Sequence, residues 1–184
     1  MIVVFTGNGK GKTTAALGAA VRAVGRGQKV LMVQFIKGPW PSGEDFIDVI
    51  KKEGLASSMT TQRPSSSMFT LKKMGLGFVG ILGDQLPIEE HMKAAQRALI
   101  YIKEQLPNYD MIVMDEVNVA VSLKLVSANE VLDILKGLPD DKIVLLTGRD
   151  APQEFLDRAD LATEMKEIKH PFNSGKMGKL NVEF

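Results

Sequence analysis

A chain of 184 residues, 45% hydrophobic and 24% charged, is long enough to bury a core and has the composition of an ordinary soluble globular protein. Its formal net charge of +1 offers no basic excess for a nucleic-acid surface, and no apolar run approaches the length of a membrane span. The absence of cysteine excludes disulfides, thiolate metal sites and thiol nucleophiles, and the apolar start is too short for a signal-peptide core, so a cytoplasmic location is expected.

Ile2–Phe5 reads as a buried strand. It runs into Gly7-Asn8-Gly9-Lys10-Gly11-Lys12-Thr13-Thr14 and then into an alanine-rich helix, Thr13 to about Gly25. A strand, a glycine loop and a helix N-terminus together make a phosphate cage: backbone N–H groups point inward, the helix dipole adds partial positive charge, and a lysine supplies a full one. Gly11, Lys12 and Thr13 complete the P-loop pattern, with Thr13 placed to reach a magnesium ion. The usual pattern has a glycine five residues before Gly11, where Thr6 stands; here the glycines fall at Gly7 and Gly9, and Lys10 adds a second lysine. A plain glycine turn with solvated lysines is the competing reading, and the strand and helix on either side argue against it.

Lys29–Phe35 is predicted as a second strand, Ile36–Glu44 as a loop because Pro39 and Pro41 forbid regular structure, and Asp45–Glu53 as a short helix. Leu55 to about Leu86 is the least regular stretch, with a serine cluster at Ser65–Ser67 and glycines from Gly75 to Gly83. It is read as a short strand near Met68–Lys72 followed by a mobile loop. Apolar residues near helical spacing predict a helix over Ile88–Leu106, started by Pro87 and ended by Pro107. Met111–Met114 is an apolar strand closed by Asp115 and Glu116. Ala128–Leu135 is a helix with Ser127 as N-cap, and Ile143–Leu146 a strand followed by Thr147-Gly148-Arg149. Gln153–Arg158 is a short helix and Leu161–Ile168 a last strand, and the tail Lys169–Phe184 wraps the surface or a site.

Apolar strands alternating with helices imply an α/β fold of the RecA-like P-loop NTPase kind: a mostly parallel central sheet with helices on both faces and ligands at the C-terminal strand ends. With no repeat or linker, 1–184 is expected to form a single nucleotide-binding domain with a mobile middle segment (about 55–86) and an irregular tail.

In a P-loop protein an apolar strand ending in carboxylates is expected beside the first strand, its terminal acid facing the Mg²⁺ of the nucleotide directly or through water. Asp115 and Glu116 would therefore complete a metal site with Thr13. Arg149 either touches phosphate at the same edge or pairs with Asp150. Arg22, about two and a half turns beyond Thr13, reads as a solvated helix residue. Trp40 is the only tryptophan, either a loop anchor or a lid over a large apolar ligand. His91 reads as a solvated helix residue.

Five blocks of the chain, TGNGKGKTTAA, QFIKGPWPSGE, MDEVN, TGRDAP and ATEMKEIKHPFNSG, in that order, resemble the P-loop type corrinoid adenosyltransferases. The displaced loop glycine is itself that family's form. The resemblance implies transfer of the 5′-deoxyadenosyl group of ATP to the reduced cobalt of a corrinoid, cob(I)alamin or cob(I)yrinic acid a,c-diamide, with triphosphate leaving. It implies that Gly7–Thr14 hold triphosphate, that Lys12 is catalytic, that Thr13, Glu116 and Asp115 serve Mg²⁺, and that Arg22 contacts phosphate. It implies that Phe78 helps to remove the lower axial ligand of Co(II). It also implies a homodimer, and a reductase or flavodoxin as electron donor. The family segment of the form glycine-phenylalanine-threonine-tryptophan is Gly77-Phe78-Val79-Gly80 here, so Gly80 stands where tryptophan is expected. Taken without the resemblance, the loop and acid pair also fit a RecA-like ATPase or a small-molecule kinase; the departure from the family pattern at Gly80 fits a non-catalytic nucleotide- or corrinoid-binding module.

Overall fold

The computed structural model describes residues 1–38, 40–46, 68–81, 83–171 and 175. The apolar runs become β1 (Ile2–Thr6), β2 (Val30–Gln34), β3 (Phe69–Lys73), β4 (Met111–Asp115), β5 (Ile143–Thr147) and β6 (Leu161–Glu164). They form one sheet, order β3-β2-β4-β5-β1-β6, in which every pairing is parallel. Parallel neighbours need crossovers that return the chain to the same edge, and the helices supply them: α1 (Lys12–Gly25), α2 (Ile88–Gln105), α3 (Val117–Ser122), α4 (Ala128–Ile134) and α5 (Gln153–Arg158).

The pleat sends alternate strand residues to opposite faces, and each face has its own core. Val3, Val30, Met32, Met111, Val113 and Leu145 face α1, which presents Ala16, Ala20 and Ala23. Small side chains on that stripe bring the helix close to the sheet, and this closeness fixes where its N-terminus and the phosphate loop end. On the other face Ile2, Val4, Leu31, Val33, Ile112, Met114, Val144 and Leu146 pack against α2–α5, with Phe35 and Phe155 fully buried among them. Helices thus cover both faces, as the sequence implies.

Most boundaries agree with the sequence within a residue or two. Ser127 caps α4 in a full capping box: its hydroxyl accepts from the Glu130 N–H while Glu130 reaches back to the Ser127 N–H. Four expectations change. The strand ending in the acid pair does not lie beside β1: β5 sits between β4 and β1. The last strand stops at Glu164, because Met165 and Lys166 lie against the phosphate loop. Pro107 lies inside a 3-10 turn, Leu106–Asn108, that prolongs α2. Val117–Ser122, read as no element, is helical. Of the helix expected over Asp45–Glu53 only its start is described, as a 3-10 turn at Gly43–Phe46. The remainder, with Ser65–Ser67 and most of the tail, lies outside the described residues.

Candidate active site

Side chains at the C-terminal strand ends meet in one row. Gln34 of β2 stands beside Asp115 of β4 in register, and Thr147 of β5 beside Phe5 of β1. Asp115 is completely buried, and three donors converge on its oxygens. Oδ1 accepts from the Thr13 hydroxyl at 2.8 Å and from the Thr147 hydroxyl at 2.7 Å; Oδ2 accepts from Gln34 Nε2 at 3.0 Å. Thr13 and Asp115 therefore meet although β5 intervenes, because α1 starts over the strands between them. Thr147 Oγ1 in turn accepts from the Glu116 N–H at 3.0 Å, which ties the acid pair to β5.

Glu116 turns the chain from β4 into α3 with φ 62, an uncommon conformation for a residue other than glycine. Burial, and then the neighbouring Asp115 charge, push its carboxyl above the ordinary glutamate range; Lys12, Lys37 and Arg149 pull the other way. Lys12 is buried at the loop mouth, and its ammonium donates to the carbonyls of Gly7 and Gly9, both at 2.7 Å. Burial lowers its pKa; Glu116 opposes that, and Arg149 and Lys10 reinforce it. Lys12, Glu116 and Arg149 thus share one electrostatic neighbourhood.

The displaced glycines have a structural cause. A Cβ on Gly7 would lie 2.5 Å from the Met165 carbonyl oxygen, and one on Gly9 would lie 2.8 Å from the same atom. The Gly9 N–H donates to that oxygen at 2.7 Å, and the Met165 N–H donates to Thr6 at 2.8 Å. Backbone passes directly over the loop, and at Gly7 φ 93 adds a second requirement for glycine. Asn8, Lys10 and Thr14 are exposed along the same loop. Arg22 lies exposed in the last turn of α1, about 13 Å along the axis from Thr13, outside this cluster.

Four side chains not marked by the sequence reading join the site. Gln34 lies inside the strand that the sequence predicts and Thr147 directly after one; each is the single polar residue at the C-terminal end of an otherwise apolar strand. Lys37 pairs with Glu44, which also accepts from Gln34 Nε2 at 2.9 Å, and stands 3.9 Å from Asp115 Oδ2. Burial alone would raise the Glu44 pKa, but the bonds from Lys37 and Gln34 outweigh it and hold the carboxyl below its ordinary range.

Beyond this cluster the loops after β2 and β3 are pressed together: Gly75 donates to Gln34 and Gly77 to Ile36. Phe78 follows, 48% exposed, its ring tilted against Trp40 at a centroid separation of 6.2 Å. A cleft of about 180 Å³ opens beside them, lined by Trp40, Leu76, Phe78, Ile81, Asp84 and Gln85. Asp84 of that lining is met by His91, which is buried and not solvated as the sequence suggested. His91 Nε2 lies 3.1 Å from Asp84, whose carboxylate also accepts from the Gly80 and Leu86 N–H groups. A larger hollow of about 400 Å³, between Ile2, Leu138, Arg158 and Asp160, lies at the N-terminal edge of the sheet, away from the phosphate loop. Ligands of parallel sheets sit at the opposite edge, so the smaller cleft is the relevant one.

A metal fits the loop end on chemical grounds. Among the described residues no three His, Cys, Asp or Glu side chains form a metal-binding group. Mg²⁺ does not require one: it takes one or two carboxylates and completes its shell with phosphate oxygens and water. The Thr13 hydroxyl against Asp115, with Glu116 beside it, is such an oxygen donor set.

Comparison with known proteins gives one family. A family model described as ATP:corrinoid adenosyltransferase BtuR/CobO/CobP matches residues 1–184. A corrinoid adenosyltransferase of Escherichia coli is 34% identical over the whole of this chain and 85% of its own length. The corrinoid adenosyltransferase CobA of Salmonella typhimurium gives the same figures, 34% and 85%. A corrinoid adenosyltransferase of a Sinorhizobium species is also 34% identical, with 80% of its length covered.

Proposed function

This chain belongs to the ATP:corrinoid adenosyltransferase family, and from that premise we propose how its own residues carry out the reaction. The enzyme transfers the adenosyl group of ATP to a corrinoid. In our reading the corrinoid arrives as Co(I), whose electron pair forms the cobalt–carbon bond at C5′. The C5′–oxygen bond breaks, and triphosphate leaves with that bond's electrons. Such a nucleophile needs no general base, so the protein's task is alignment of C5′ and neutralisation of the leaving group.

The observation that carries this assignment is the meeting of Lys12, Thr13, Asp115, Glu116 and Arg149 at one sheet edge. Loop residues Gly7–Thr14 hold the triphosphate. Lys12 has three N–H donors, two of them on loop carbonyls, and the third serves a phosphate oxygen. Thr13, Asp115 and Glu116 would hold Mg²⁺, which when bound would supply positive charge against the departing triphosphate. Phe78 faces the corrinoid and eases reduction of Co(II) by displacing its lower ligand. Arg22, exposed in the last turn of α1, contacts phosphate in this reading. A single domain over 1–184, a homodimer, a cytoplasmic location and a reductase or flavodoxin that supplies the electron complete the reading.

The test is the phosphate product. With ATP, Mg²⁺ and a chemically reduced corrinoid, the protein should yield a light-sensitive cobalt–carbon compound and triphosphate. ADP and phosphate as the only nucleotide-derived products would overturn the assignment in favour of a hydrolase or kinase.

A further inference from the structure

Trp40 is fixed in place without being buried. Lys73 of β3 donates to its carbonyl at 2.7 Å and pairs with Asp45 at 2.5 Å, so the loop is tied to the sheet on both sides of the indole. The ring lies across Gly77: its Cη2 and Cζ3 atoms stand 2.9 Å from the point a Cβ would occupy there. Yet 59% of Trp40 remains exposed, beside Phe78 at 48% and Ile81 at 59%. An indole used as a core residue hides most of its large apolar surface. A ring held this firmly and left open to water is placed for contact with a ligand.

The loop that carries Trp40 also reaches the nucleotide edge. Lys37 pairs with Glu44 and stands 3.9 Å from Asp115, while Trp40 faces the cleft on the other side. One short segment therefore touches both the phosphate side and the aromatic side. Gly80 supplies no ring to that cleft. Its backbone is left-handed, φ 69, and its N–H is spent on Asp84 at 2.8 Å, so this position makes a turn. Trp40 is the only tryptophan in the chain.

We propose that Trp40 contacts the corrinoid and sets its affinity: with Phe78 it forms the aromatic wall against which an apolar face of the macrocycle is held, in place of a side chain at position 80. The proposal rests on the adenosyltransferase reading above. It is tested with full-length Trp40→Ala and Trp40→Phe proteins, ATP and chemically reduced cob(I)alamin. Trp40→Ala should raise the KM for cob(I)alamin about tenfold or more, leave the KM for ATP within about twofold, and be largely rescued by Trp40→Phe. In the wild type, saturating corrinoid with ATP should lower the Stern–Volmer slope for acrylamide quenching of the lone tryptophan. An unchanged cob(I)alamin KM in Trp40→Ala, a parallel rise in both KM values, or an unaltered quenching slope overturns the proposal. If the wild type itself forms no adenosylated corrinoid, the adenosyltransferase reading fails first, which is a separate result.

Discussion

Asp115 shows how one buried carboxylate organises three strand ends and a helix. Both of its oxygens are committed, to Thr13, Thr147 and Gln34, and all three partners act as donors. An asparagine there would replace one acceptor oxygen by an amide N–H₂, so that a threonine hydroxyl or the Gln34 amide must turn to accept, and would remove a charge. We expect Asp115→Asn to weaken MgATP binding roughly 10- to 100-fold, the range for losing a group that orients a metal ligand. Calorimetric titration with MgATP, repeated with ATP and chelator, checks the cause. An equal loss without metal would mean that Asp115 only shapes the loop. Glu44 provides the pH test at this scale. Its folded-state pKa is depressed by Lys37 and Gln34 despite burial. A depressed carboxylate contributes stability above its unfolded value, 4.5, and that contribution is lost as pH falls through the folded value. The stability advantage of the wild type over Glu44→Gln should therefore be full near neutrality and shrink below pH 4.5, as read by denaturant melts across that window. An advantage that stays constant on acidification would show that Lys37 and Gln34 do not hold this carboxylate.

At the scale of elements, legibility followed physical cause. The strands could be read because each is a short unbroken apolar run, as both-sided burial demands. α3 could not: Val117-Asn118-Val119-Ala120-Val121-Ser122 is rich in β-branched residues and has no side-chain cap, and its start is set by the left-handed turn at Glu116. His91 was misread although its spacing gave a clue. It shares the stripe of Ala94, Ala95, Ala98, Leu99 and Ile102 along α2, and it is buried there against Asp84. Two substitutions test the elements themselves. Ser127→Ala removes the hydroxyl that accepts from Glu130 and should cost about 1 kcal/mol. Gly18→Ala lies exposed within α1 with nothing near the added methyl, and should stabilise by about 0.5–1 kcal/mol. Equilibrium denaturation measures both; a destabilised Gly18→Ala would mean that α1 meets a surface not yet accounted for.

For the whole molecule, the decisive relation joins the two ends of the chain. β6 pairs with β1, and Met165 and Lys166, which follow it, lie on the phosphate loop. The sequence displays the loop's departure from the common pattern, glycine at 7 and 9 with threonine at 6, but its cause is a backbone contact across the length of the chain and has no local signature. The order of the strands is hidden for the same reason: which strand lies between β1 and β4 is decided by crossovers, not by any residue in those strands. Gly9 isolates this long-range contact. Its φ is not in the left-handed region, so alanine there meets no conformational penalty, only the Met165 carbonyl and Lys166 backbone at 2.8 Å. Backbone cannot swing aside as a flexible side chain would, so the added methyl must part the loop from residues 165 and 166. We expect Gly9→Ala to cost about 1–3 kcal/mol, the usual range for overpacking, and to weaken ATP binding at the same time. Gly18→Ala in the same protein is the matched control, since it adds the same methyl to open space. If Met165 and Lys166 hold the loop in its binding shape, denaturant melts of the two variants shift in opposite directions, and ATP titrations show weakened binding in Gly9→Ala alone. Equal behaviour of the two would mean that the chain's carboxy-terminal part does not bear on the phosphate loop, and that the displaced glycines need another explanation.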